Sequence, residues 1–365
     1  MEITDLQLHP VHTRRETGSI TPHVIVTLET REGITGVGEM SDLGHYSLQD
    51  FPPLPRLRET LLEILRGRDP SDITGLTARL AQTFPSGPFH NEIRCGAELA
   101  LWDTIARNAG VPVYQLLGGK VRDRYRVCYP IFRMRATDEV AENLRRVRDQ
   151  MGLGQDAFRL YWGANLEADE RFLACVRDEY GDRVEIKSLD GSNQLPRDEA
   201  IAALRRLIRY RPTHIESPCQ RDDLADMRAV REATGAAVSE HVTSLQQGYQ
   251  FVEAQAVDIF NISLVAMGGL AAARKLYALA EATGTKTLIG TTQELSIGTA
   301  AQLHLGAAMP NLDYPGDAAG PLLYQQDVVH QRVQYHQGYA LVPEGPGWGL
   351  ELDPEAVAAN RASFG

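Results

Sequence analysis

The sequence has no continuous apolar run of about 18 residues, which is the length that a membrane-spanning helix requires. Its first residues, MEITDLQLHPVHTRRETG, lack the basic and then apolar layout of a secretory signal. Positive charge is also in deficit, because 37 Lys and Arg stand against 48 Asp and Glu, a formal net charge of −11 over 365 residues. Nucleic acids and anionic membranes do not attract such a surface. We therefore expect a cytoplasmic protein whose main partner is neither a nucleic acid nor a membrane.

Cysteine is scarce, and its spacing argues against two further classes of protein. The four cysteines (Cys95, Cys128, Cys175 and Cys219) show neither the close pairing of a disulfide framework nor the spacing of zinc ligands. We expect reduced thiols that pack as small core residues.

Strand and helix patterns divide the chain into two regions. In residues 1–120, HVIVTLETREGITGVGEM is typical of a β-hairpin, and CGAELALWDTIARNAG predicts a helix that ends at Gly110. From about residue 125, short apolar strands alternate with amphipathic helices at intervals of about 20–30 residues. Seven or eight such units in succession predict a parallel sheet closed into a (β/α) barrel, rather than an open doubly wound sheet. The Gly- and Pro-rich tail is expected to return to the N-terminal region.

Three carboxylates stand at the predicted C-terminal ends of successive barrel strands, where the chemistry of such a fold lies. Asp190 ends IKSLD, Glu216 lies in HIESP and Glu240 lies in VSEHV, at separations of 26 and 24 residues. Together at the barrel mouth they would repel one another strongly unless a cation neutralised them. Oxygen ligands with open positions suit Mg²⁺, so the pattern indicates a divalent-metal site. The alternative is that each acid caps the N-terminus of the helix that follows it.

Several longer stretches resemble one known family. They are AELALWDTIARNAGVPVYQLLGG (residues 97–119), IESP, SEHVTSLQQGYQFVEAQAVDIFNISLVAMGGL, TTQELSIGTAAQLHLGAAMPNL and the C-terminal PEGPGWGLELD. With them the chain resembles, over nearly its whole length, the enolase superfamily on its mandelate racemase and muconate-lactonizing side. The resemblance implies an α/β fold with a modified TIM barrel of seven to eight (β/α) units over residues 121–334. Residues 1–120 would form an α+β capping domain, to which residues 335–365 return.

The resemblance also implies a chemistry. A Mg²⁺ ion would be bound by Asp190, Glu216 and Glu240, and the carboxylate of a small substrate would chelate it. Because the cation stabilises the enolate where negative charge develops, the proton on the adjacent carbon can be removed. The loop around residues 42–46 would close over the barrel mouth, with His45 and Tyr46 either as substrate contacts or as exposed loop residues. A homo-oligomer is expected on the same ground.

The sequence departs from the family's pattern where the family's bases are expected. The Lys-x-Lys of the second barrel strand is replaced by Arg159-Leu160-Tyr161. The sixth strand has Ser263 in place of a lysine or of the aspartate of an Asp-His pair, and the seventh has Gln293-Glu294 in place of the histidine. After the third strand, Ser192 stands where asparagine is common. Ser192 and Ser263 are therefore candidates for binding the substrate.

Three groups are candidates for moving the proton. Tyr161 would become a base if Arg159 and a nearby Mg²⁺ lowered the pKa of its phenol, which is about 10 in water. His241 has the most suitable ordinary pKa, but beside Glu240 it reaches the cavity only if the strand has ended there. Glu294 could donate a hydrogen bond to the enolate if it were protonated. Each group has a structural alternative: ion pairing for Arg159 and Glu294, packing for Tyr161, and capping or ligand support for His241.

The leading hypothesis is a Mg²⁺-dependent lyase, a dehydratase that abstracts the α-proton of a small hydroxy-carboxylate through an enolate. One side of the site carries an evident base, so elimination is easier to support than racemisation with two bases. An epimerase, racemase or cycloisomerase of a carboxylate is the alternative among enzymes. A barrel that keeps its metal but has lost catalysis is the alternative outside them.

Overall fold

The computed structural model describes residues 1–41, 43–45, 47–85, 87–221, 223–291 and 293–363, with the backbone but not the side chain of His45. Within those ranges, no helix is both long enough and apolar enough to cross a membrane. An antiparallel sheet with helices comes first in the chain, and a parallel barrel follows it.

The N-terminal region is an antiparallel sheet packed on helices. Its strands, hydrogen-bonded in the order β1-β2-β3, are β1 (Ile3–Arg14), β2 (Ile20–Thr30) and β3 (Thr35–Met40). The helices that follow are α1 (Leu54–Leu65), α2 (Ile73–Thr83), α3 (His90–Ala109) and α4 (Val113–Leu116). Strand β3 lies directly on the backbone of α3, since a Cβ on Gly38 would lie 2.1 Å from the carbonyl oxygen of Gly96. A larger side chain at Gly38 would therefore push the sheet away from this helix.

A parallel sheet of seven strands follows in the described part of the chain, after the short strand β4 (Arg124–Arg126). The seven are hydrogen-bonded in chain order: β5 (Tyr129–Ile131), β6 (Ala157–Tyr161), β7 (Glu185–Asp190), β8 (His214–Glu216), β9 (Val238–His241), β10 (Ile259–Ile262) and β11 (Lys286–Ile289). The helices between and after them are α5 (Glu139–Gly152), α6 (Leu166–Tyr180), α7 (Arg197–Leu207), α8 (Leu224–Thr234), α9 (Leu245–Glu253), α10 (Leu264–Met267), α11 (Leu270–Thr283), α12 (Ser296–Ala308) and α13 (Gly320–Leu323). Helical periodicity gives each long helix one buried face, as Val140, Asn143 and Val147 show in α5.

Residues 313–317 close the gap between the last and the first barrel strand. On one side the backbone N–H of Asp317 donates to the carbonyl oxygen of Ile289 in β11 (2.8 Å). On the other side the N–H of Cys128, just before β5, donates to the carbonyl oxygen of Gly316 (2.8 Å). The segment thus takes the place of an eighth strand, and the sheet closes on itself. The structure confirms the predicted α/β fold with a (β/α) barrel.

The C-terminal segment returns to the N-terminal region. Strand β12 (Tyr335–His336) pairs with β13 (Tyr339–Leu341), which pairs with β4, and α14 (Pro354–Ala359) follows. Trp348 is completely buried; its backbone N–H donates to Asp103 of α3 (2.8 Å), and its indole N–H donates to the carbonyl oxygen of Val37 (3.0 Å). These bonds tie the end of the chain to the first sheet and to α3.

Glu98 on α3 joins the N-terminal region to the barrel. Its carboxylate accepts hydrogen bonds from the backbone N–H of Ala271 in α11 (2.7 Å) and from the indole N–H of Trp102 (3.0 Å). Burial raises the pKa of Glu98 from 4.5 to about 7, although these two donors and Arg94 lower it. The interface therefore favours the protonated acid at and below neutral pH.

Stability should depend on pH through Glu98. A carboxyl with a higher pKa in the folded than in the unfolded chain stabilises the fold below its unfolded pKa, and this contribution is lost as the pH rises through about 7. Relative to Glu98→Gln, which cannot ionise, the wild type should lose up to about 3 kcal/mol of unfolding free energy between about pH 4.5 and pH 8. Urea unfolding of both proteins measures the difference, in which acids common to both cancel. A difference that stays constant with pH would show that the pKa of Glu98 is the same in the folded and the unfolded chain.

Candidate active site

The ends of three neighbouring strands bring Tyr161, Asp190 and Glu216 side by side. In the parallel ladder Tyr161 on β6 is the register partner of Asp190 on β7, which is in turn the partner of Glu216 on β8. Glu240 follows on β9, one residue after Ser239, the partner of Glu216. The three acids of the predicted metal site therefore end neighbouring strands at the barrel mouth, where this architecture places its chemistry.

A cavity of about 730 Å³ lies over this end of the barrel, and both regions of the chain line it. The polar side chains from the barrel are Arg159, Tyr161, Asp190, Ser192, Asn193, Ser217, Arg221, Glu240, His241, Thr243, Thr291 and Gln293; those from the N-terminal region are Arg15, Ser19, Thr21, Asn91 and Glu92. Its size and its convergent polar groups are typical of a small-molecule site.

A β-bulge on β7 sets the charges beneath the mouth. Ser188 pairs with Arg159 of β6, whereas Lys187 before it has no register partner there. Strand alternation alone would send consecutive side chains to opposite faces, but a bulge re-aims them. Here the ammonium of Lys187 and the hydroxyl of Ser188 both reach Oε2 of Glu216, at 3.2 and 2.9 Å. The bulge thus brings an additional cation into the barrel.

Glu216 is the centre of a buried ion cluster. Its oxygens face donors from five side chains: Arg159 (3.3 Å), Lys187 (3.2 Å), Ser188 (2.9 Å), His241 (3.3 Å) and Asn261 (2.9 Å). Asp317, on the segment that closes the barrel, lies against the same two cations, 3.0 Å from Lys187 and 3.3 Å from Arg159. The side chains of both cations and both acids are at most 4% exposed. Two buried cations therefore bridge the same two carboxylates.

The mouth keeps an excess of negative charge. Burial raises the pKa of Glu216, but Lys187 and Arg159 lower it by more and hold it well below its usual range. Asp190 lies 3.9 Å from Arg159 and is less well compensated, so burial and the charge of Glu216 raise its pKa to about 6. With Asp190 and Glu240 added to the two acids of the cluster, four carboxylates stand against two buried cations. His241 and the partly exposed Arg221 also face these acids and offset part of the excess.

Glu240 is held in place by hydrogen bonds to both of its oxygens. The hydroxyl of Ser217 and the backbone N–H of His241 donate to Oε1, and the amide of Asn193 donates to Oε2, each at 2.8 Å. Arg221 lies 3.5 Å from Oε1 with 38% of its side chain exposed, so water screens its charge. The carboxylate is therefore oriented at the mouth without a buried counter-charge of its own.

The donor set suits a hard divalent cation. Carboxylates near the ends of three neighbouring strands supply oxygen ligands, and with Asp317 they outnumber the two buried cations beside them. In this arrangement, however, no three His, Cys, Asp or Glu side chains of the described ranges are placed to hold a metal together. The oxygens of Glu216 face the donors of the ion cluster. The residues fit the metal by their chemistry, and Glu216 has to exchange partners to bind it.

Tyr161 lies in an aromatic and cationic setting at the cavity wall. Its ring stacks on Phe132, with 5.8 Å between centroids and 3° between planes. The guanidinium groups of Arg159 and Arg133 lie 4.7 and 5.9 Å from its centroid. Burial raises the pKa of the Tyr161 phenol above its ordinary value, and Arg159 lowers it by less. The lowering expected from the sequence is therefore outweighed by burial.

His241 reaches the mouth although it is the last residue of β9. Its Nε2 lies 3.3 Å from Oε1 of Glu216, and its ring lines the cavity with 28% of the side chain exposed. Burial lowers the pKa of the imidazole, but the hydrogen bond to Glu216 and the charges of Glu240 and Asp190 raise it by more. The sequence left open whether His241 faces the cavity, and the structure places it there.

Two other predicted residues lie at different depths. Ser192 lines the cavity, and its backbone N–H and hydroxyl both donate to Oδ1 of Asp190, at 2.8 and 3.0 Å. Glu294 is 1% exposed and accepts a hydrogen bond from the hydroxyl of Thr291 (2.5 Å), which itself lines the cavity. Glu294 thus stands behind the wall that Ser192 helps to form.

Of the remaining predicted contacts, the structure describes only the side chain of Ser263, and it does not line the cavity. Ser263 is completely buried and caps α10, where its hydroxyl accepts from the backbone N–H of Ala266 (3.4 Å). Tyr46 and the side chain of His45 lie outside the described residues. Gly44, next to His45, lines the cavity, so the backbone of this loop reaches the mouth.

Sequence reasoning missed the buried groups that surround Glu216 from below, namely Lys187, Asp317 and Asn261. A signal existed for Lys187, because a lysine inside the apolar strand VEIKSLD is seldom buried unless it is paired. Asp317 lies in YPGDAAG, which has no strand pattern and therefore no predicted face. Asn261 lies within NISL, two residues before Ser263, which stands at the position of the missing lysine.

Two family descriptions match the chain. The mandelate racemase / muconate lactonizing enzyme N-terminal domain matches residues 2–118, and the enolase C-terminal domain-like family matches residues 139–356. Together they cover the antiparallel sheet with its helices and most of the barrel.

Relatives with different activities are similar along almost the whole chain. A chloromuconate cycloisomerase of Cupriavidus pinatubonensis is 29% identical over 341 residues, covering 92% of this chain and 90% of that protein. A D-galactonate dehydratase family member of Catenulispora acidiphila is 28% identical over 373 residues, covering 92% and 84%, and a racemase is also among the relatives. The crystal structure of 2-chloromuconate cycloisomerase from Rhodococcus opacus 1CP, 25% identical, matches all of both chains with a TM-score of 0.88. The chain therefore belongs to the mandelate racemase/muconate lactonizing enzyme family of the enolase superfamily.

Proposed function

We propose that this enzyme removes the proton beside the carboxylate of a small hydroxy acid bound at the barrel mouth. The observation that carries the proposal is the register of Tyr161 with Asp190 and Glu216 beneath a cavity of small-molecule size. Enzymes of the family typically use a divalent metal. Mg²⁺ bound by Asp190, Glu216 and Glu240 is therefore part of the proposal.

Each group at the barrel mouth has a proposed role that follows from its charge. When bound, Mg²⁺ supplies a Lewis acid that stabilises negative charge on the substrate carboxylate. The guanidinium of Arg159 lines the cavity and orients that carboxylate. Burial raises the pKa of the Tyr161 phenol, and a bound divalent cation would lower it, so Tyr161 would take the α-proton when the cation is present. Its ring is kept in one orientation by the stack on Phe132 and by the guanidinium of Arg159. The substrate is thus fixed beside the base before the proton moves.

His241 is the proposed general acid. Its ring lines the same cavity from β9, three strands away from Tyr161 on β6. Base and acid therefore act from different sides of a bound substrate. Histidine is suited to proton transfer because its ordinary pKa lies close to neutral pH. We assign it the donation of a proton to the leaving hydroxyl.

A site with one proposed base, Tyr161, and one proposed acid, His241, suits dehydration better than racemisation with two bases. Such a racemisation needs a second base that faces the other side of the α-carbon. Strand β10 and the residue after it offer Asn261, whose amide donates to Glu216, and Ser263, which caps a helix. Neither an amide nor a helix-capping hydroxyl is a base. An elimination needs one base and one acid, the roles proposed for Tyr161 and His241. The same pair would serve a racemisation only if His241 faced the α-carbon rather than the leaving hydroxyl, and the products distinguish the two reactions.

Cycloisomerisation is the second candidate, and the relatives favour it. The chloromuconate cycloisomerase that is 29% identical and the solved structure at a TM-score of 0.88 both carry this activity in their names. A cycloisomerase also moves a proton at one carbon, so a site with one base would serve it. The two reactions differ in their products, because a dehydratase releases water and a cycloisomerase preserves the mass of its substrate.

A panel of hydroxy-carboxylates and unsaturated dicarboxylates in D₂O tests the proposal. With Mg²⁺ present, ¹H NMR and mass spectrometry should show loss of water from a hydroxy acid, and EDTA should stop it. α-Deuterium exchange without loss of water would contradict dehydration, and an isomer of unchanged mass would favour the cycloisomerase. No exchange across the panel would favour a barrel without catalysis. Turnover that persists in EDTA would contradict the proposal that the reaction requires a divalent metal.

We also propose a homo-oligomer, which rests on the family resemblance alone. Size-exclusion chromatography with light scattering tests it. A mass corresponding to a single chain at micromolar concentration would contradict it.

A further inference from the structure

More hydrogen-bond donors face the carboxylate of Glu216 than it has lone-pair sites to accept them. A carboxylate has about four lone-pair sites, whereas five side chains direct donors at Glu216. Protein donors thus already face both of its oxygens. A metal that uses Glu216 has to displace at least one donor.

The five donors are not equally able to leave. Lys187, Ser188 and Asn261 are completely buried, whereas Arg159 and His241 line the cavity. Arg159 has two further carboxylates within 4 Å, Asp317 at 3.3 Å and Asp190 at 3.9 Å, whereas among the described residues the imidazole of His241 has Glu216 alone within that distance. Arg159 is therefore the donor that can release Glu216 and keep a counter-charge.

Arg159 also has an unused donor of its own. Its Nε is buried and has no hydrogen-bond partner in the part of the chain that the structure describes, although 3% of the residue is exposed and it borders the cavity. A buried donor without a partner costs free energy, and an anion that enters the cavity could satisfy it. A guanidinium offers a fork of N–H groups that matches a carboxylate.

We propose that Arg159 competes with the divalent cation for Glu216, and that the cation binds together with an anion that takes over the guanidinium. The proposal rests on the metal site of the proposed function and deepens it. The carboxylate of the substrate is the anion concerned, since it enters the cavity that Arg159 lines. Cation and substrate then strengthen each other's binding, because each removes the obstacle to the other.

Two substitutions in the ion cluster should change the affinity for metal in opposite directions. Arg159→Gln removes the competitor, so Mn²⁺, used as a spectroscopic probe of the Mg²⁺ site, should bind about tenfold more tightly or better. Asp317→Asn removes the acid that holds Arg159 and Lys187 from the other side. Both cations then rely on Glu216, and Mn²⁺ should bind more weakly than to the wild type.

Arg15→Gln is the matched control. It removes the same charge from the wall of the same cavity, but Arg15 forms no ion pair with a carboxylate in the described ranges, and its Nε donates to the hydroxyl of Thr21 (2.8 Å). Its affinity for Mn²⁺ should stay close to that of the wild type. A gain equal to that of Arg159→Gln would show a general effect of charge and overturn the proposal.

Electron paramagnetic resonance of free Mn²⁺ during titration measures the affinity of each protein without any need for a substrate. Tighter binding to Arg159→Gln and weaker binding to Asp317→Asn support the competition. Saturable binding of equal strength to wild type and Arg159→Gln would overturn the competition and leave the proposed metal site intact. No saturable binding to either protein would overturn both. If Arg159→Gln does not fold, as circular dichroism would show, Arg159→Met gives the same test, because it also removes the positive charge and leaves no polar group to bury.

Discussion

Lys187→Met should lower the free energy of unfolding by about 3–5 kcal/mol, because it breaks a buried ion cluster on one side only. The ammonium is completely buried and lies 3.0 Å from Asp317 and 3.2 Å from Glu216. Without it, two buried carboxylates share the single guanidinium of Arg159. Urea unfolding in EDTA measures the loss without a metal ion to replace the missing charge.

A matched control and a double variant make this prediction sharper. Lys286→Met at the start of β11 removes an ammonium that is 56% exposed and pairs with Asp313, so its cost should stay within about 1 kcal/mol. Lys187→Met combined with Asp317→Asn removes one charge of each sign and should cost less than the sum of the two single changes. If the losses in unfolding free energy of the two single changes simply added, Lys187 and Asp317 would not be coupled. Equal losses for Lys187→Met and Lys286→Met would contradict a buried ion cluster at Lys187.

Tyr161→Phe should reduce the rate of α-proton exchange by about 10²–10⁴-fold, which is the usual contribution of a positioned base. The change removes only the hydroxyl, since a phenylalanine ring can keep the stack on Phe132 and the contact with Arg159. Binding of the substrate should therefore change much less than the rate. ¹H NMR in D₂O follows the exchange, and the effect of substrate concentration on the rate separates binding from turnover.

Tyr129→Phe is the control for the loss of a hydroxyl. It lies on the neighbouring strand β5, where its register partner is Phe158, and it borders a different cavity. Its exchange rate should equal that of the wild type. Exchange that persists within a few-fold in Tyr161→Phe would remove Tyr161 as the base and move that role to His241.

The fold could be predicted because its signals are local and repeated. Strand alternation placed Arg159 and Tyr161 on one face, and the structure shows both of them at the cavity. The spacing of strand ends brought out Asp190, Glu216 and Glu240 as a set, and the register places the first two side by side. Such inferences need only the periods of strand and helix.

The ion cluster could not be predicted, because it depends on features without a sequence period. A bulge directs Lys187 and Ser188 to the same acid, and no alternation rule anticipates it. Asp317 comes from a segment that closes the barrel through backbone hydrogen bonds rather than through a regular strand. The partners of Glu216 can therefore be identified only from the three-dimensional structure.

A crystal structure with Mg²⁺ and a bound carboxylate tests the central claim most directly. The account predicts the metal on Asp190, Glu216 and Glu240, Arg159 turned from Glu216 to the carboxylate, and the phenol oxygen of Tyr161 within hydrogen-bonding reach of the α-carbon. A carboxylate bound away from these strand ends, or an α-carbon that faces another base with Tyr161 turned aside, would contradict it.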